Sequence, residues 1–306
     1  MRVLGRFAAL QELPTWNKTV LDRSLARVLR QADGTRPVLA HSGILPGPGS
    51  GGGDTHIYFG WYHGEERHFA ALCRAVPRLV RFVSEFGAQA VPSGDVGFCE
   101  PERWPDLPWE QLARSHNLQK ARFDRYVPPA DYATFEEWRD ATQAYQATVI
   151  KHHIEDLRRL KYHPTGGFCQ FAFADGHPGV TWAVLDDERR QKAGYHALVE
   201  ACRPVIVVAE RLPATVAPGD ALALDVHVVS DLRVPLAGAM VEARMSWDGG
   251  DHHWRWQGDV GADTCVRVAT VQFVVPPIAG ALTLDLRFAA GKVTAANHYE
   301  TTIPAL

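Results

Sequence analysis

The chain has 306 residues, 46% of them hydrophobic, a length that favours two domains and a composition ample for a sizeable core. A net charge of −3 argues against a polyanion or a membrane surface as partner. Five widely spaced cysteines without a CxxC pair argue against a disulfide framework or a zinc knuckle and for a reducing cytoplasm, and the "MRVLGRFAAL" start lacks the long apolar stretch of a signal peptide.

Taken in chain order, Asn17 is placed to cap a helix whose Leu21, Leu25, Val28 and Leu29 share one stripe, ending near Asp33-Gly34. "RPVLAHSG" reads as a strand from Pro37 to His41, and a Gly/Pro/Ser loop leads to a second strand, "HIYFGW". A short helix over Phe69–Ala75 feeds a third strand, Arg81 to Ser84, which ends on the lone carboxylate Glu85. A Pro-rich excursion runs from Val91 to Pro108. Thr134 and Glu137 have the spacing of a capping box, and Trp138, Ala141, Tyr145 and Val149 keep helical spacing toward Leu157 and Leu160. "GGFCQFAFAD" shows no alternation and reads as a fourth strand, buried on both faces. Phe168, Phe171 and Phe173 within it, taken singly, read as core filling. A last helix spans Lys192 to Cys202.

Near Arg203-Pro204 the pattern changes to period two, and Lys292 is the only lysine beyond that point. Strands are expected over Val205–Ala209, Leu222–Val228, Ala239–Trp247, Trp254–Trp256, Val266–Val275, Leu282–Phe288 and Val293–Ile303. The turn signals "APGD", "DGGD" and "PPIAG" separate them. Such a series argues for an immunoglobulin-like sandwich over residues 203–306. His252 and His253 are adjacent on a strand, point to opposite faces and suit the surface rather than a metal. Residues 1–202 read as α/β, four strand-then-helix steps amounting to half of an eight-fold barrel.

A buried charge is costly unless it is paired or used, and the C-terminal ends of barrel strands are where such folds keep their reactive groups. Those ends supply His41, Trp61, His63, Glu85, Asp175 and Trp182, while His56 and Tyr58 share a face of the second strand. A carboxylate ringed by aromatics and imidazoles suits a sugar, whose apolar face stacks on rings and whose hydroxyls bond to polar groups. The alternative for Glu85 is a structural ion pair, and for each histidine a core or surface role. The glycines at 47, 49, 51, 52 and 53 lack the Lys-Ser/Thr ending of a phosphate loop, and His152-His153 lack zinc-helix spacing, so neither a metal nor a cofactor is expected.

"TRPVLAHSG", "DTHIYFGWYHG", "RFVSEFGAQA" and "GGFCQFAFADGHPGVTWAVLDDERRQKAGYHAL", in that order, resemble the C-terminal part of glycoside hydrolase family two, the β-mannosidase, β-glucuronidase and β-galactosidase group. The likeness covers about residues 15 to 210, with "CRPVIVVAE" resembling the entry to that family's trailing sandwich. It implies a partial (β/α)8 barrel, roughly strands five to eight, and a retaining β-glycosidase activity, β-mannosidase-like, with Glu85 as nucleophile. It places His41, His56, Tyr58, Trp61, His63, Phe171, Asp175 and Trp182 around the sugar. Retention needs a second carboxyl about 5–5.5 Å from the first. In the family that Glu follows an Asn, but here Asn17, Asn117 and Asn297 precede Lys, Leu and His. The expectation is therefore a fragment truncated before the acid/base strand. It would be inactive or weakly active alone, and completed by a second copy or a separately encoded N-terminal half. The alternative is a catalytically inactive remnant or carbohydrate-binding protein.

Overall fold

The structure, a computed structural model, describes residues 16, 20–39, 42–43, 53–94 and 96–305. It divides into two compact units, Met1–His153 with Tyr162–Leu198, and Ile154–Lys161 with Val199–Leu306. No helix among the described residues is long and apolar enough to cross a membrane.

The first unit holds helices α1 (Asp22–Ala32), α2 (His68–Ala75), α3 (Trp109–His116) and α4 (Lys120–Tyr126), most of α5 (Phe135–Arg159) and the start of α6 (Ala193–Ala201). Its strands β1 (Thr55–His56), β2 (Phe82–Glu85) and β3 (Gly167–Phe168) form one parallel sheet in that order. Among the described residues these are three short strands with helices and no barrel, which corrects the four-strand expectation. Pro37–Leu39 is irregular, and Asn17, His41 and the glycine-rich loop lie outside the described residues. The "HIYFGW" strand ends at His56 because the chain then turns, with the N–H groups of Trp61, Tyr62 and His63 all donating to the Tyr58 carbonyl and Gly60 at φ +80°. The fourth expected strand ends at Phe168 because residues 172–175 pair back onto 182–185. There Ala172 donates to Trp182, Val184 to Ala172 and Asp175 to Leu185. Phe171 and Phe173 are consequently exposed rather than core filling, at 38% and 60%. The α1 stripe likewise faces outward: Leu25, Val28 and Leu29 are exposed and only Ala26 is buried.

Beyond β2 the chain from Phe86 to Val91 is irregular yet buried. Its backbone meets Thr181 and Phe171 through Ala90 N–H and the Phe86 carbonyl, and side chains of α5 serve the rest: Thr142 accepts from the Val91 N–H, Gln143 donates to the Val91 carbonyl, and Gln146 donates to the carbonyls of Ala88 and Trp182. The buried Lys192 ammonium donates to the Ala90 carbonyl at 3.1 Å. Helix α5 starts on a complete capping box, with Glu137 N–H bonded to Thr134 Oγ1 and Glu137 Oε2 accepting from Thr134 N–H. Two helices after the Pro-rich excursion, α3 and α4, had no sequence expectation. They bury Leu112 and Phe123 respectively.

In the second unit, β4 (Val205–Ala209), β5 (Ala221–Ser230) and β8 (Thr264–Val274) form one antiparallel sheet, in the order β4-β5-β8. The other sheet has the order β10-β9-β6-β7, from β6 (Leu236–Trp247), β7 (Gly250–Val260), β9 (Gly280–Ala290) and β10 (Val293–Ile303). These strands coincide with the expected seven and are mostly longer. Alternation drives the burial: Leu282, Leu284, Leu286 and Phe288 point inward and join Val226, Val228, Met245 and Tyr299 in one core. The last turn of α5 is fastened within this unit, where Arg158 donates to the Ala201 and Arg203 carbonyls and pairs with Asp231 at 2.7 Å.

Candidate active site

Strand β2 ends on Glu85, whose side chain is 29% exposed. Pairing of β1 with β2 sets His56 opposite Glu85, and two residues on Tyr58 reaches the same carboxylate. Glu85 Oε2 accepts the Tyr58 hydroxyl at 2.8 Å and lies 3.2 Å from His56 Nδ1. Burial drives the Tyr58 phenol well above its ordinary pKa, and the Glu85 hydrogen bond and charge add to that. The hydroxyl therefore stays protonated and donates to the carboxylate.

Behind His56 sits Asp54, 7% exposed. Its Oδ2 accepts from Ser42 Oγ at 2.6 Å, from the Gly43 N–H at 3.3 Å and from Ser84 Oγ. Burial pushes this carboxyl up, but the Ser42 and Ser84 hydroxyls outweigh it and hold the group below the usual carboxylate range. Ser42 Oγ also lies 3.2 Å from His56 Nε2.

An aromatic wall stands beside the carboxylate. The Trp182 ring is 6.4 Å from Tyr58, 6.2 Å from Tyr62 and 5.8 Å from Phe171. Gly87, two residues beyond Glu85, permits the approach of this wall: a Cβ there would meet the Phe171 carbonyl at 2.7 Å and Trp182 Cδ1 at 3.7 Å. Trp182 Nε1 and Gln170 Oε1 are buried polar atoms without a hydrogen-bond partner among the described residues.

Of the residues expected at the site, the structure gathers Glu85, His56, Tyr58, Trp182 and Phe171. His41 lies outside the described residues. Trp61 is turned inward by the 58–63 turn, fully buried, with its indole N–H on Gln119 Oε1 at 3.0 Å and its ring against Phe123 and Tyr126. His63 is exposed with its ring against Phe59. Asp175 is taken by Thr181 Oγ1 at 2.6 Å and lies 3.6 Å from Lys192, and burial raises its carboxyl. None of these three contacts Glu85 among the described residues. Asp54, Ser42, Ser84 and Tyr62 were not among the expected site residues. For Asp54 a signal existed, since Asp54, His56 and Tyr58 recur with period two and so share a face of extended chain. Among the described residues no three His, Cys, Asp or Glu side chains gather as a metal site.

No protein-family model matches the chain, and no curated protein matches it in sequence. Solved structures do match. A β-D-mannosidase from Dictyoglomus thermophilum superposes with a TM-score of 0.63 at 20% identity, over 82% of this chain and 30% of that one. The exo-chitosanase CsxA from Amycolatopsis orientalis, in a complex with PNP-β-D-glucosamine, gives 0.66 at 14% identity, over 93% of this chain and 35% of that one. The likeness is one of fold. The chain spans about a third of the length of these glycoside hydrolases, and at this identity it shares their architecture along most of its own length.

Proposed function

We propose that the chain carries the nucleophile side of a retaining β-glycosidase site, β-mannosidase-like, with Glu85 as nucleophile. The observation that carries this reading is the doubly held Glu85 oxygen. A phenol and an imidazole converge on Oε2 at the end of a parallel strand, beside a wall of Phe171, Trp182 and Tyr62. Residues up to about 202 are read as the second half of an eight-stranded barrel and residues from 203 as an immunoglobulin-like sandwich.

In this mechanism the free Glu85 oxygen attacks the anomeric carbon. The bond to the departing oxygen breaks, and a glycosyl ester forms that water later hydrolyses. Natural substrates also need a proton delivered to the departing oxygen. No Asn-Glu pair occurs within residues 1–306, so on this reading the family's proton-donating motif is not supplied by these residues. Dinitrophenyl glycosides release dinitrophenolate, a stable anion, and bypass that need.

The test is covalent labelling by a 2-deoxy-2-fluoro glycoside of an activated leaving group, read by mass spectrometry of the Glu85 peptide. The expected result is an ester on Glu85, lost in Glu85→Gln with folding barely changed. A Glu85→Gln chain that still labels, or that loses stability while labelling persists, makes Glu85 a structural carboxylate. Efficient cleavage of an unactivated β-mannoside by these 306 residues alone would show that a proton donor lies among them. Saturable sugar binding without any ester identifies a carbohydrate-binding protein instead.

A further inference from the structure

The β10-β9-β6-β7 sheet carries a groove of about 390 Å³. Outward residues alternate with core residues along these strands. Glu242 on β6, Arg287 and Ala289 on β9, and Thr294 and Ala296 on β10 therefore line the groove from the face turned away from the sandwich interior. Arg203, just before β4, lines it as well.

The arginines of this face are matched, with one exception. Arg255, Glu242, Arg287 and Ala296 stand opposite one another in a row across β7, β6, β9 and β10. Glu242 Oε1 accepts from Arg255 Nε at 3.2 Å and from Nη2 at 2.6 Å. In the next row Arg244 pairs with Asp251 at 2.6 Å, and Arg203 pairs with Glu200 at the same distance. Arg287 is left with no ion-pair or hydrogen-bond partner among the described residues. Its neighbour on β10 is Ala296, where a carboxylate would have matched it. The short side chains of Ala289 and Ala296 leave the space beside the guanidinium open.

The lining groups complement one kind of ligand. A guanidinium presents a planar fork of donors that fits a carboxylate through two parallel bonds. Glu242 Oε2 and the Thr294 hydroxyl have no partner among the described residues; the first accepts from a hydroxyl, and the second donates or accepts. The alanine methyls suit the C–H face of a sugar ring. Two guanidiniums against one carboxylate leave the lining positive, and its volume is that of a small-molecule site.

We propose that this groove binds a sugar carboxylate of the uronate class. The carboxylate sits on Arg287, hydroxyls on Glu242 and Thr294, and the apolar ring face on Ala289 and Ala296. The site lies wholly within the second unit, and its assignment does not depend on the reading of Glu85.

The experiment is calorimetric titration of the intact chain at constant ionic strength with three probes: sodium D-glucuronate, D-glucose and sodium sulfate. Glucuronate is expected to saturate. Glucose, a ring without the charge, and sulfate, a charge without the ring, are expected to bind at least about tenfold more weakly. Arg287→Gln is expected to weaken glucuronate at least about tenfold, and so is Ala296→Leu, which fills the open space and keeps the charge. Arg244→Gln removes a paired arginine from the same face and is expected to leave binding unchanged. Residues 287 and 296 are exposed, so neither variant should disturb folding, and an unchanged thermal midpoint checks this. Sulfate binding as tightly as glucuronate reduces the groove to a bare anion site and overturns the proposal. So does glucose binding as tightly as glucuronate, an Arg287→Gln chain that binds as before, or an unsubstituted chain that glucuronate never saturates.

Discussion

In the second unit, β6 and β9 exchange main-chain hydrogen bonds from Met240 opposite Ala289 to Ser246 opposite Thr283, and apolar side chains fill the space between the two sheets. In the first unit, the equally buried stretch Phe86–Val91 has no ladder beside it, only the Ala90–Thr181 bridge and the Phe171 N–H on the Phe86 carbonyl, and otherwise leans on Thr142, Gln143, Gln146 and Lys192. A ladder satisfies the backbone whatever the side chains are. A polar side chain satisfies it only while that particular residue is present. The first arrangement gives a frame, and the second lets the chain after Glu85 curve away from sheet geometry and bring Gly87 under the aromatic wall.

Three measurements break or sharpen this contrast, each followed by hydrogen-exchange mass spectrometry of the unit concerned. The largest effect is expected from Phe288→Ala. Its fully buried ring leaves a cavity at the centre of the sandwich, at a cost of about 4 kcal/mol. Peptides from β5, β6 and β9 should lose protection together. Second is Gln146→Leu, which keeps the volume and removes the donor to the Ala88 and Trp182 carbonyls. The Trp182 carbonyl still accepts from Ala172 and Gln170, so one stranded carbonyl, that of Ala88, costs about 2 kcal/mol, whereas an apolar exchange such as Leu284→Met in the sandwich should cost less than about 1.5. A neutral Gln146→Leu would erase the distinction between the units.

The smallest effect is a slope with pH. Burial lowers the Lys192 ammonium to about 8 from its ordinary 10.5, against the pull of Asp175. Between those two values the unfolded chain holds the proton more tightly, so stability rises with pH by at most about 1.4 kcal/mol per unit, and below about 8 the penalty is constant. Urea midpoints at pH 8, 9 and 10 should climb for the unsubstituted chain and flatten in Lys192→Met. An unchanged climb in the variant would assign the slope to another group.

The contrast also explains what the sequence let one read. Period-two alternation on Leu282–Phe288 is a direct imprint of one face inward and one outward, and the strand is where the pattern puts it. Strand β7 was underestimated at Trp254–Trp256 because its outer positions carry charges whose partners lie across the ladder, as Arg255 does with Glu242 at 2.6 Å. In the first unit the apolar runs at 57–61 and 169–173 resemble strands, but turns and back-pairing with remote residues decide their course, and no local pattern records that. The site divides the same way. His56, Tyr58 and Glu85 were legible because two of them share a face and the third breaks an apolar run. Ser42 and Ser84 reach Asp54 from 12 and 30 residues away, and Trp61 was misplaced by continuing a strand that in fact turns.

The glutamines of α5 have a consequence for descent. Drift along a ladder is cheap, because each swap is judged by size and greasiness alone. A lineage that replaces Gln146 must find a new donor for the loop in the same generation or lose the loop's path, and with it the seat of Trp182. Relatives of this chain should therefore diverge freely through the sandwich, while the helix and the loop change only in concert.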